Sequence, residues 1–154
     1  MSRPTLTAGE WLGEATRRLR GAGVDAPALD AELRLAHVLD CPRVAVLSRP
    51  ERVLTPARRE LLDSLLERRL RREPLAYILG HKEFYGLDLL VTPHVLVPRP
   101  ETEHLVDLAL EWIRRLPADR DPLTVVDVGT GSGAIAAALA RHSDRLRVVA
   151  TDVS

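Results

Sequence analysis

Residues 125–140, VVDVGTGSGAIAAALA, decide how this sequence is read. An apolar run reaches Asp127, glycines follow at 129, 131 and 133, and an alanine-rich run completes the stretch. The upstream LTVVDV predicts a strand over 123–128. Its continuous apolar character predicts a parallel sheet buried on both faces. The alanine-rich run predicts a helix to about Arg141, and LRVVATDV predicts a second strand over 146–153. Strand, loop, helix and strand together predict a parallel βαβ unit.

The loop has chemistry of its own. A helix N-terminus offers unpaired N–H groups and the positive end of a dipole. Glycines let a ligand approach the backbone without Cβ clashes. Asp152 stands 19 residues after Gly133, at the end of the second strand, where an acid can accept hydrogen bonds from both hydroxyls of a ribose. Two nucleoside cofactors fit. Gly129, Gly131 and Ala134 satisfy the dinucleotide pattern G-x-G-x-x-A. Asp127, Gly129, Gly131 and Gly133 also read as D-x-G-x-G-x-G, the loop of S-adenosylmethionine-dependent methyltransferases. Asp127 favours the second, because a carboxylate suits a cationic methionyl end and repels a pyrophosphate.

Upstream, residues 1–73 read as helices. Thr7 and Glu10 form a capping box, Trp11, Ala15 and Leu19 share a face, and Gly21 and Gly23 stop the first helix. Pro27 opens a second helix, whose expected stripe is Leu29, Leu33, Ala36 and Leu39. RVAVLSRPERVL reads as a short helix and a loop. Thr55 and Pro56 begin a helix that would bury Leu61, Leu62, Leu65, Leu66 and Leu70. The texture changes at Pro74. Apolar alternation, Gly86 and prolines at 93, 98 and 100 predict a β-hairpin and an extended connector over 74–98. A helix then returns, with Leu105, Leu108, Trp112, Ile113 and Leu116 at helical spacing.

Composition narrows the classes. Lys+Arg and Asp+Glu are both 22, so no global charge argument favours nucleic acid or membrane. Residues 1–73 hold 14 arginines against 11 acids; residues 74–154 hold 8 basic residues against 11 acids. The RRLRR cluster at 68–72 reads as a solvated helix face, with a weak basic patch for an RNA-associated partner as the alternative. Aromatics are 3%, which argues against base-stacking platforms. Cys41 is the single cysteine, so neither a disulfide framework nor a cysteine zinc site is expected. The five histidines lack metal-ligand spacing. No signal-peptide core is present, and no apolar run approaches the roughly 18 residues of a membrane span. A cytoplasmic protein is expected.

VLVPRPETEHLVDLAL followed by the glycine loop resembles the N5-glutamine methyltransferases of peptide chain release factors, the PrmC or HemK family. LAYILGHKEFYGLDLLVTPHVLVPRPETE resembles that family's interdomain segment, and DAPALDAELRLAHVL its N-terminal domain. The resemblance implies an α/β protein with an all-α N-terminal domain: a helical substrate-recognition bundle over 1–73, a hairpin linker over 74–98, and over 99–154 the first part of a Rossmann-like class I methyltransferase domain. It implies that Gly129, Thr130, Gly131, Ser132 and Gly133 contact S-adenosylmethionine and that Asp152 binds its ribose. It implies that the 99–103 segment, with Arg99, Glu101 and Glu103, lines the pocket. The implied substrate is the glutamine of the Gly-Gly-Gln motif in bacterial release factors, and a monomer is expected, with no direct nucleic acid or membrane partner.

The family's catalytic signature, Asn-Pro-Pro-Tyr, is not in this sequence. No catalytic or metal-binding residue is therefore assigned, and the 154 residues are expected to be a truncated form, inactive alone. The alternatives are a non-enzymatic module that binds release factors and, against Asp127, a nicotinamide-dependent dehydrogenase. Glu101 and Glu103 suggest an acid/base pair, but acids just after Pro100 also suit an ordinary helix start.

Overall fold

The structure is a computed structural model that describes residues 6–153. It is mixed α/β. Two compact units meet between Leu79 and Gly80.

The first unit is mainly helical. A two-residue strand, β1 (Leu6–Thr7), leads into α1 (Ala8–Gly21), followed by α2 (Pro27–Leu39), α3 (Arg43–Leu47), β2 (Val53–Leu54), α4 (Pro56–Leu70) and α5 (Leu75–Leu79). The Thr7 capping box forms: Glu10 N–H donates to Thr7 Oγ1 at 3.3 Å, and Thr7 N–H donates to Glu10 Oε2 at 2.8 Å. The Thr7 backbone N–H, and then the Thr7 hydroxyl at 2.9 Å, both donate to the Glu10 carboxylate and hold it below its ordinary value. Trp11, Ala15 and Leu19 bury against Ala31, Leu35, Leu39, Val46, Leu62 and Leu66. The Trp11 indole N–H finds Asp63 Oδ1 at 3.2 Å, so its polar edge is satisfied.

Two expectations hold only in part here, for the same reason. In α2 the buried face is Asp30, Ala31, Arg34, Leu35, Ala36 and Leu39, while Leu29 is exposed. The stripe sits beside the expected one because Arg34, which pattern reading counts as polar, is fully buried. Arg34 and Arg69 share Asp30; Arg69 Nε donates to Asp30 Oδ2 at 2.8 Å. Burial, and then the Arg69 charge, push the Arg34 guanidinium down to about 10. The RRLRR cluster is likewise structural in part. Arg68 clamps Glu73, Arg69 also donates to the Glu73 carbonyl, and Arg72 donates to the Gly23 carbonyl at 3.3 Å. Leu75–Leu79 is a short helix rather than the extended segment expected after Pro74, because the Pro74 carbonyl accepts from Tyr77 and Ile78 and closes a turn. The β1–β2 bridge is two residues long, too short to leave a periodic trace in the sequence.

The second unit opens with an antiparallel hairpin, β3 (His81–Phe84) and β4 (Leu87–Leu90). Both turn residues, Tyr85 and Gly86, have positive φ (51° and 74°), as the twist of a two-residue hairpin turn requires. A single 3₁₀ turn (Pro100–Thr102) precedes α6 (Glu103–Arg115). Then come β5 (Leu123–Val128), α7 (Ala134–His142) and β6 (Leu146–Thr151). β5 and β6 pair in parallel, from Leu123 opposite Leu146 to Val128 opposite Thr151. Phe84, Val106, Leu110, Ile113, Ala138 and Leu139 form the core, and Leu123, Val125, Leu146 and Val148 pack on it from the strands.

Burial on both strand faces, as the apolar run predicts, is not observed. Side chains alternate along β5, and Val126 and Val128 are 55% and 80% exposed. α6 carries two apolar stripes. Val106, Leu110 and Ile113 are buried, whereas Leu105, Leu108 and Trp112 are exposed. Arg145 ties the unit together. It donates to the carbonyl of Ile113 in the last turn of α6 and to those of Leu116 and Pro117 just beyond it, and grips Asp121 through Nε at 2.9 Å.

Candidate functional site

The glycine loop lies at the C-terminal end of the parallel pair, where β5 delivers the chain and α7 carries it away. Gly129, Gly131 and Gly133 have φ of 75°, 55° and 76°. A Cβ at any of them would meet open space, so the demand for glycine comes from backbone conformation rather than crowding. Gly133 is the N-cap of α7 and provides no capping side chain.

Backbone and carboxylates share the loop's donors. Gly129 and Thr130 N–H both reach the Thr151 carbonyl, at 2.8 and 3.0 Å, which fastens the loop to β6. Gly131 N–H donates to Asp152 Oδ2 at 2.7 Å. The other Asp152 oxygen accepts from Val153 N–H at 2.7 Å. Gly133 N–H closes on the Thr130 carbonyl at 2.9 Å. Asp127 Oδ2 accepts from the Thr130 hydroxyl at 2.7 Å and from Ala136 N–H at 3.2 Å. The N–H groups of Ser132, Ala134 and Ile135 take no acceptor among the described residues. A loop of alternating backbone conformation with free amides at a helix start has the geometry found in anion-binding concavities. The two carboxylates at its rim add hydrogen-bond acceptors beside those donors.

All six residues expected at a cofactor site are thus in one place: Gly129, Thr130, Gly131, Ser132, Gly133 and Asp152. Two features were not foreseen. Asp127 uses one oxygen inside the loop, and Thr151 contributes a carbonyl. Asp127 and Thr130, three residues apart, are the only sequence signal for the first. The 99–103 segment has structural duties. Glu103 Oε1 accepts from Tyr85 N–H at 2.9 Å, and Tyr85 donates its hydroxyl to Asp107 at 2.6 Å, which raises the Tyr85 pKa. Arg99 and Glu101 are exposed and form no ion pair among the described residues. No cluster of three or more His, Cys, Asp or Glu side chains suited to a metal exists among the described residues. No helix among them is long and apolar enough to cross a membrane.

Residues 10–80 match the family model of the PrmC N-terminal domain. Over 149 residues the chain is 44% identical to the release factor glutamine methyltransferase of Koribacter versatilis, covering 97% of this chain and 52% of that protein. It is 46% identical over 143 residues to that of Nitratidesulfovibrio vulgaris, covering 93% and 47%. To that of Escherichia coli it is 42% identical over 142 residues, covering 92% and 49%. The chain spans about half the length of the curated relatives it matches.

Proposed function

We propose that the chain belongs to the release factor glutamine methyltransferase family and that its second unit begins a Rossmann-like domain that holds S-adenosylmethionine. The observation that carries the reading is the 2.7 Å bond between Gly131 N–H and Asp152 Oδ2. It sets the acid of the second strand against the glycine loop of the first. A nucleoside lying there meets carboxylate acceptors for its ribose hydroxyls on one side and free amides on the other. Residues 129–133 bind the amino-acid end of the cofactor, and Asp152 holds the ribose. When bound, the cofactor supplies a methyl group already activated on a sulfonium.

What the protein adds is orientation. An amide nitrogen is a poor nucleophile, and its N–H groups must be held so that the lone pair faces the methyl group. None of the 154 residues is assigned that task. The whole protein's reaction is proposed as methylation of the glutamine side-chain nitrogen in the Gly-Gly-Gln motif of a bacterial release factor, in the cytoplasm, by a monomer. The helical unit, with its own core around Trp11, is the part proposed to hold the release factor.

Titration calorimetry with S-adenosylmethionine tests the cofactor assignment. Asp152→Ala removes ribose bonds worth about 0.5–1.5 kcal/mol each, so affinity should fall roughly 10- to 100-fold. Unchanged affinity would reject it. The 154-residue chain should transfer no labelled methyl group to a release factor. Transfer at a rate near that of the Escherichia coli enzyme would place the orienting groups within these residues.

A further inference from the structure

We infer that Asp127 is a positioning residue, one that shapes the cofactor loop by accepting hydrogen bonds rather than by offering its charge to the ligand. The inference rests on the cofactor reading above for its consequence but not for its geometry. Asp127 ends the apolar run of β5. Its Oδ2 takes the Thr130 hydroxyl at 2.7 Å and Ala136 N–H at 3.2 Å. One atom therefore joins the strand, the middle of the loop and the first turn of α7.

The helix needs this. Ala136 carries one of the orphan N–H groups of the first turn, and the N-cap is Gly133, which has no side chain to offer. Ala136 is 8% exposed, so water reaches it poorly. An acceptor from the preceding strand supplies what a serine or aspartate N-cap ordinarily does. Thr130, held by the same oxygen, sits between Gly129 and Gly131, whose backbones fix the path of the loop. The direction in which the free amides of Ser132, Ala134 and Ile135 point follows from that path. Releasing Asp127 would leave the loop fastened to β6 through Thr151 and Asp152 and unfastened from its own helix.

Charge and acceptance make opposite predictions for one substitution. Asp127→Asn keeps a carbonyl oxygen that can take both bonds; Asp127→Ala keeps nothing. Thr130→Val preserves shape and removes only the hydroxyl donor. Amide hydrogen exchange of the ligand-free chain, read at Ala136, needs no cofactor. We expect Asp127→Ala to speed exchange there by at least about tenfold, and Asp127→Asn to stay within about threefold of the parent. Thr130→Val should fall between them, and the Val125 amide, which faces β6 as those of Leu123 and Gly129 do, serves as the control for a folded sheet. In calorimetry with S-adenosylmethionine, Asp127→Asn should stay within about threefold and Asp127→Ala should lose roughly 10- to 100-fold. Exchange at Ala136 unaffected by Asp127→Ala and Thr130→Val, or an asparagine variant that binds as poorly as the alanine variant, would overturn the proposal. A parent chain that keeps the exchange pattern but binds no cofactor would count against the cofactor reading alone.

Discussion

Both units leave some apolar side chains exposed, but they depart from the usual division of apolar and charged surface in different places. The helical unit draws even charge inside: Arg34 is fully buried and Asp30 is 6% exposed beside it. The second unit leaves valines outside, with Val126, Val128 and Val149 at 55%, 80% and 38%. Helices that pack around Trp11 have stripes that face one another, so a core closes locally. A parallel strand pair has two faces, and α6 and α7 with the hairpin cover one. Burial therefore says different things in the two units. In the first, a buried charge is paired; in the second, the exposed valines of β5 and β6 mark the uncovered side of a sheet.

The comparison breaks most easily at Asp30. Asp30→Ala strands the buried Arg34 guanidinium, takes a carboxylate from Arg69, and should cost the helical unit about 3–5 kcal/mol, whereas Arg34→Met leaves Asp30 with Arg69 and should be neutral or stabilising. Urea unfolding followed by Trp11 fluorescence, in a Trp112→Phe background, measures both. Equal losses would show that packing volume, not charge, decides this site. In the second unit the contrast lies across the sheet. Val106→Thr puts a hydroxyl into the core and should cost about 1–3 kcal/mol. Val128→Thr should stay within about 0.5 kcal/mol. Comparable costs, read by hydrogen exchange in β5, would mean that the Val128 face is covered in solution.

The smallest effect is titration at the surface of the helical unit. Glu10 and Glu73 are held below their ordinary value of 4.5, Glu10 by bonds from Thr7 and Glu73 by the Arg68 guanidinium. A lowered carboxyl pKa stabilises the fold above the unfolded value, and that contribution is lost as pH falls through the folded one. The unit should hold its stability down to about pH 5 and lose it progressively below 4.5. Glu10→Gln should flatten part of that slope. An identical slope in the variant, measured by thermal melting from pH 6 to 3, would remove the capping box from the account.

Much of this was legible because local rules and packing agree. Thr7, Glu10 and the Trp11–Ala15–Leu19 stripe sit where capping and periodicity put them. The apolar, glycine and alanine runs of 123–140 gave strand, loop and helix in order. Reading failed where a side chain acts against its type. A buried arginine hid the true face of α2, and two apolar stripes on α6 left the choice to tertiary packing. In the candidate site, spacing pointed to the glycines and Asp152. Periodicity could not show that Asp127 turns back into the loop, because that depends on a hydroxyl and an amide meeting one oxygen in three dimensions.

Arg145 sets a lower limit on how the chain can be divided. The carbonyls that it satisfies at the end of α6 come 28 to 32 residues earlier, on the far side of β5, the loop and α7. During synthesis, the Ile113 carbonyl has the Leu116 N–H from the start and gains Arg145 only much later. A piece that ends before position 145 loses these three guanidinium bonds, so α6 should fray more readily from its C-terminal end even when its buried stripe is intact. Truncations that end within the 116–144 interval should be felt first in the last turn of α6.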